Sequence, residues 1–433
     1  MKYHPINPEL FVNNRKRFMR KMQPESIAIF YSNDQMLRSG DTYHPFRQNS
    51  GLFYLSGLDQ EETVVVLFPD CIKEGYQEIA FIKRTSDHIA QWEGHKFSQE
   101  EAQHISGIQK IFWLDEMPGI LHELILLSKR IYINTEEHDR LIPITPSRNM
   151  RAARQLIEQY PAHKYHRAQP ILKKLMMIKS VLELELTQQA INITGKAFRR
   201  VLEFIKPGVM EFEIEAEVTH AFLRNRANGH AYDPIIASGS NNCILHYIHN
   251  NQTCKAGDLV LMDFGAEYAN YAADLTRTIP VNGQFSPRQR EVYDAVLKIL
   301  NEAKQLLVPG ATLEEYKKEV VQLVESALID LRLFTRKEID AQAAEAPLYK
   351  KYFMHGISHF LGMEVHDMAD NYAPIQAGML FTCEPGIYLP QENFGIRLEN
   401  NIIVTDEGPF DLMSNIPIHA EEIEEMMNAQ VLS

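Results

Sequence analysis

The sequence predicts an α/β N-terminal domain followed by an α+β C-terminal domain made of two copies of one motif. Three observations carry this reading. A chain of 433 residues is longer than one hydrophobic core usually serves. Short apolar runs alternate with helical stretches in the first part, and helix and strand signals recur at a fixed interval in the second.

In the first part, SIAIFYS near 26–32, LFYLSGL at 52–58, TVVVLFP at 63–69, EIAFIK at 78–83, KIFWL at 110–114 and RIYINT at 130–135 read as strands. A helical stretch at 116–128 among them predicts a partly parallel sheet. From about 148 to 180 the chain turns helical and basic, which reads as a connection with its boundary near 173–178. The division expected is 1–175 and 176–433.

The repeat defines the second part. TGKAFRRVLEFIKPGVMEFEIEAEV carries Pro207-Gly208, and VLKILNEAKQLLVPGATLEEYKKEV carries Pro309-Gly310, 102 residues later. Each Pro-Gly is a helix stop, since Pro lacks the donor and Gly takes the left-handed cap. The strand regions match too: Asp263 stands six residues after Gly257, and Glu384 six after Gly378. A fold with two-fold-like symmetry would bring those carboxylates together.

Composition narrows the partners. Fifty-seven acidic against 44 basic side chains leave a net charge of −13, the wrong sign for nucleic acid or an anionic membrane. No uncharged apolar run approaches the ~18 residues of a membrane span, and MKYHPINPELFVNNRKRF lacks a secretory apolar core. Cys71, Cys243, Cys254 and Cys383 form no CxxC pair, which suits buried thiols in a reducing cytoplasm. Cytoplasmic residence is therefore expected.

The chemistry concentrates in two strand pairs. LVLMDF is apolar on both faces until Asp263, and a buried carboxylate needs a cation, donors or a proton. Asp274, eleven residues on, lies in the return strand, where a hairpin can place both on one face. Taken singly, each reads more readily as a strand-end or turn residue. Glu384 ends LFTC before Pro385-Gly386, and Arg397 and Glu399 share a face of a strand that runs on into Ile402-Ile403-Val404. HGISHFLGMEVHD adds His355, His359 and His366; the first two have i, i+4 spacing, although Gly356 and Ser358 argue against a regular helix. His246 is a weaker candidate. Carboxylates with an imidazole make a hard, oxygen-rich set that two divalent ions would balance, a bridging hydroxide being the nucleophile.

CILHY, LMDFGAEYANYAADLTRT, MHGISHFLGMEVHD, TCEPGIY and GIRLEN, with YHPFRQNSGLFYLSGL near the N-terminus, resemble the Xaa-Pro aminopeptidase (aminopeptidase P) family of pita-bread metallopeptidases. The resemblance spans nearly the whole chain. It implies an N-terminal creatinase-like domain for oligomerisation and substrate gating, and a pita-bread catalytic domain. It implies Asp263, Asp274, His359, Glu384 and Glu399 as ligands of two divalent ions per subunit, Mn²⁺ first and Zn²⁺ or Co²⁺ as alternatives. Catalytic roles fall to His355, His366 and His246, and substrate contacts to His246, His366, Arg397 and Tyr388. Peptides with proline second are the implied substrates, and a homodimer or homotetramer the implied assembly, with Trp92 a candidate lid. Asn400 departs from the aspartate of many relatives, which puts one contact behind the ligands in doubt. The rival readings are a prolidase confined to dipeptides, a metal-free creatinase-like enzyme and an inactive peptide-binding module. Ser358 leans toward the aminopeptidase, and the full carboxylate set argues against the last two.

Overall fold

A computed structural model of the chain describes residues 2–135, 137–138, 140, 142–343 and 345–429. It divides into two compact units, Tyr3–Met176 and Met177–Ser433.

The first unit is built on strands β1 (Ser26–Tyr31), β2 (Val64–Leu67), β3 (Glu78–Ile82), β4 (Lys110–Trp113), β5 (Arg130–Ile133) and β6 (Lys164–Arg167). Among the described residues they form one sheet in the order β4-β3-β2-β1-β5-β6. The β3–β4, β1–β5 and β5–β6 pairs are parallel, and β1–β2 and β2–β3 antiparallel, so the sheet is mixed as the alternation predicts. Ile27, Ile29, Val64, Val66, Ile79 and Phe81 are buried and form its core with Leu124 and Leu156. Those two leucines come from α3 (Met117–Leu127) and α4 (Arg148–Gln159), numbered after α1 (Glu9–Met19) and α2 (Ser50–Ser56).

Two expectations fail here. LFYLSGL is not a strand but most of α2, whose cap residue Asn49 accepts a bond from the Leu52 N–H and whose stop is Gly57 at φ 68°. Every residue of α2 is buried, so the run shows no periodicity by which a helix could be told from a strand. A Cβ on Gly57 would fall 2.2 Å from the Phe11 ring, so glycine serves the close packing of α1 as well as the turn. Within the stretch read as helical, KYHR forms β6, because pairing with β5 overrides its weak strand propensity.

In the second unit the repeat becomes two helix pairs, α5 (Val181–Phe204) with α6 (Glu211–Arg224) and α7 (Pro287–Lys304) with α8 (Leu313–Asp330). The helices stop before each Pro-Gly, at Phe204 and Lys304, and Gly208 and Gly310 take φ of 96° and 93° in the turns that follow. After β7 (Ile235–Ser238), the first copy runs β8 (Leu259–Phe264), a small hairpin β9 (Ala266–Tyr268) and β10 (Tyr271–Ala272), then β11 (Leu275–Pro280). The second runs β12 (Leu380–Cys383), a hairpin β13 (Gly386–Leu389) and β14 (Phe394–Arg397), then β15 (Asn400–Thr405) and β16 (Gly408–Asp411). β8 pairs antiparallel with β11 and β12 with β15, so each copy is a strand pair interrupted by an inserted hairpin.

That topology corrects the strand drawn through Glu399. β14 pairs with β13 and β15 with β12, and Leu398-Glu399 lie where the chain changes partner. Asp274 holds the same place in the first copy, immediately before β11. The repeat therefore matches two carboxylate pairs: Asp263 with Glu384, and Asp274 with Glu399.

Candidate active site and metal centre

The two copies are joined through the residues around their second carboxylates. Asn401 Nδ2 donates to the Asp274 carbonyl at 2.6 Å, and its Oδ1 accepts from the Asp274 N–H at 3.2 Å. The Glu399 N–H donates to the Thr276 carbonyl at 3.1 Å, while Thr276 Oγ1 donates to Glu399 Oε2 at 2.6 Å. Arg277, fully buried, reaches the carbonyls of Pro417, Thr276 and Glu399 and the Asn400 Oδ1, all within 2.9 Å. All of these bonds except that from Arg277 to the Thr276 carbonyl cross from one copy to the other, and they set Asp274 beside Glu399. Asn400 also donates to Asp411 at 2.7 Å, so the amide is matched on both sides by partners suited to it.

Asp263 is held from two sides. Tyr232 donates to its Oδ1 at 2.6 Å and also reaches Asp274 Oδ1, so one phenol proton serves two carboxylates. Arg397 Nη2 lies 2.6 Å from Asp263 Oδ2, and its other nitrogens donate to Tyr388 Oη at 2.8 Å and Thr276 Oγ1 at 3.1 Å. Arg397 therefore pairs with Asp263 rather than with Glu399 two residues on, and all three of its nitrogens are engaged inside the protein.

The histidine segment is not helical. Residues 357–361 run alongside β12: the Glu384 N–H donates to Ile357 O at 3.0 Å, Thr382 N–H to His359 O at 2.9 Å, and Leu361 N–H to Leu380 O at 3.1 Å. His359 is thus fixed against the strand that leads into Glu384. Its Nδ1 lies 3.0 Å from the Phe360 carbonyl, an acceptor only, so Nδ1 carries the proton of the neutral ring and Nε2 either offers a lone pair to a cation or, without one, takes a second proton facing Asp274. Nε2 faces Asp274 Oδ2 at 3.4 Å and Glu384 Oε1 at 3.7 Å. The same logic makes His355 Nδ1 a donor to Gly356 O at 2.7 Å and Nε2 the acceptor from Tyr388 Oη at 2.8 Å.

Burial dominates the electrostatics. It pushes the Glu384 carboxyl up to about 7, and with its neighbours' negative charge raises Asp274 and carries Glu399 well above the carboxylate range. Burial pulls His355 down to about 3, with the Arg397 charge adding to it, so that imidazole is neutral. Against burial, the Asp274 hydrogen bond and the Glu384 charge raise His359, and the Tyr388 and Asp263 charges raise Arg397. Ligand atoms of Asp274, His359 and Glu399 lie within 4.8 Å of one another, as a shared cation requires. Hard oxygen donors, one imidazole lone pair and carboxylates that burial works to protonate together fit a divalent cation.

Eight of the sequence-selected residues, Asp263, Asp274, His355, His359, Glu384, Tyr388, Arg397 and Glu399, are linked by these contacts. His366 joins them, its ring centroid 4.3 Å from that of His359. His246 lies on an exposed stretch, near enough to bear on the charge of His355. Trp92 is 77% exposed and is not a packed core aromatic. Ser358 Oγ donates to the Thr382 carbonyl at 2.6 Å, which ties the histidine segment to β12. Sequence reasoning missed Tyr232, Thr276, Arg277 and Asn401. Arg277 between Leu275 and Ile279 and Asn401 beside Ile402 were visible polar residues in strands; Tyr232 had no signal.

Two family models match the chain: metallopeptidase family M24 over residues 185–406, and the aminopeptidase P N-terminal domain over 11–132. The chain is 33% identical to the Xaa-Pro aminopeptidase of Escherichia coli K12, over 98% of each chain. It is 32% identical to that of Haemophilus influenzae, over 97% of each. The structure superposes with a TM-score of 0.90 on a putative aminopeptidase P from Bacillus anthracis, which is 31% identical, covering 98% of this chain and 99% of that one.

Proposed function

Because the chain belongs to metallopeptidase family M24, we propose that its buried carboxylate–histidine site removes an N-terminal residue when the next residue is proline. Membership of the family makes it a hydrolase that depends on a divalent metal. The reading rests on one observation above the rest: Asp274 and Glu399, matched residues of the two copies, lie with His359 in one group of donor atoms within 4.8 Å of one another.

Asp263, Asp274, His359, Glu384 and Glu399 would hold two ions, Asp274 and Glu399 shared between them. The oxygen-rich set favours Mn²⁺, with Zn²⁺ or Co²⁺ as alternatives. Bound ions supply Lewis-acid activation of the peptide carbonyl and of the attacking water. The chain's own residues do the rest. Arg397 and Tyr232 hold Asp263 in place, and Thr276 holds Glu399. Tyr388 orients His355, which burial and the Arg397 charge keep neutral; to reach the scissile group, its Nδ1–H must leave Gly356 O. Proline presents a tertiary amide with no N–H, so His246 and His366 recognise it by shape beside the site. Arg397, fully engaged by Asp263, Tyr388 and Thr276, acts on the ligand shell rather than on substrate. Residues 1–175 are assigned to assembly as a homodimer or homotetramer, with exposed Trp92 as a lid candidate. The enzyme would reside in the cytoplasm, a reading that the free cysteines Cys71, Cys243, Cys254 and Cys383 support. Among the described residues no helix is long and apolar enough to cross a membrane.

The test is to load the full chain with Mn²⁺ and compare an Xaa-Pro dipeptide with longer Xaa-Pro peptides. Release of the first residue from both is expected. Cleavage confined to dipeptides replaces this reading with a prolidase, and fewer than roughly one ion per chain without cleavage removes the enzyme altogether.

A further inference from the structure

Away from the carboxylates, the second unit buries another ion pair. Lys179 Nζ lies 2.5 Å from Asp367 Oδ2, and the two side chains are 3% and 1% exposed. Such a pair is a poor source of stability, since apolar residues of similar volume are commonly as good or better. Its location supplies a different reason for it.

Asp367 follows His366, and its N–H donates to the carbonyl of Phe360, the residue after His359, at 3.0 Å. That bond closes 360–367 into a loop with His366 turned back beside His359. Gly362 lies directly on the ion pair: a Cβ there would sit 2.0 Å from Asp367 Oδ2 and 2.4 Å from Lys179 Nζ. The Gly362 carbonyl accepts from the Ala272 N–H at 2.8 Å, and the Lys179 N–H donates to Gly378 O at 2.8 Å, just before β12. One clamp thus ties the loop to both copies of the repeat. His359 has its own bonds to β12 through Thr382. The end of the loop that depends on the clamp is the one carrying His366.

We propose that Lys179 and Asp367 are positioning residues that set His366 against the substrate. The inference rests on the assignment of His366 to the proline pocket. The test is the double variant Lys179→Met/Asp367→Leu in the Mn²⁺-loaded full chain, which removes both buried charges at similar volume. Its metal content and melting temperature should stay near wild type and kcat should change little, while KM for an Xaa-Pro tripeptide rises roughly tenfold. Asp367→Asn, which keeps the side-chain volume, should show the same split and serves if the double variant does not fold. An unchanged KM, or a fall in kcat or metal content in place of the KM rise, overturns the proposal. His366→Ala is measured beside them. If it raises KM and the clamp variants do not, the clamp alone is wrong; if it leaves KM unchanged, the proline-pocket assignment falls and the clamp's role with it.

Discussion

β1 and β11 are both six-residue strands buried at every position, yet they bury opposite chemistry. β1, SIAIFY, packs apolar side chains against Val64 and Val66, each side chain worth about 1.5–3 kcal/mol of transfer. β11, LTRTIP, buries Thr276, Arg277 and Thr278, whose polar atoms must each find a partner. Those partners come largely from the second copy of the repeat: Glu399, Asn400, Pro417 and Arg397. Equal burial therefore serves different ends. The apolar strand holds its sheet together, and the polar strand spends stability to join two half-sites and aim their carboxylates.

Substitutions on the polar side should break this contrast most sharply. Glu384→Ala should abolish turnover, exceeding the 10–100-fold that changes behind metal ligands usually cost, while circular dichroism stays native; wild-type turnover would remove Glu384 from the site. Arg277→Met, a fair apolar replacement by volume, should cost about 3–5 kcal/mol in urea unfolding because its four acceptors lose their donor. In β1, Ile29→Val should cost only about 0.5–1.5 kcal/mol and leave kcat and metal content alone; a loss of metal would mean the apolar sheet is not a separate support.

The smallest expected effect is a pH trend in metal-free protein. Burial raises Glu384 from 4.5 to about 7, so across that window the native state binds more protons than the unfolded one. Stability is then full below about 4.5 and declines as pH rises toward 7, and Mn²⁺ should raise the melting temperature more at pH 7 than at pH 5. A metal-induced shift independent of pH would detach Glu384 from the ions.

Much of the fold was legible because strand and helix signals are local. β1 to β5 and α3 stood out as apolar runs and periodic stretches, and the repeat showed through Pro-Gly spacing and matched carboxylates. LFYLSGL misled because a segment buried all round carries no period, and KYHR because its strand exists only through β5. Asp263, Asp274, Glu384 and Glu399 were readable as polar interruptions in apolar strands. Tyr232 was not, because a tyrosine between aspartates looks like any other until the chain folds.

The sequence by itself determined the two-part architecture, the doubled motif and the inventory of hard donors, since these depend on residue type and spacing alone. Only the tertiary structure decided which donors meet. The pairing of Arg397 with Asp263 joins residues more than a hundred positions apart, the break at Leu398-Glu399 depends on which strands pair, and the tautomer of His359 depends on one local carbonyl. Hydrogen bonds across the two copies, which no local pattern encodes, turned a list of carboxylates into a site.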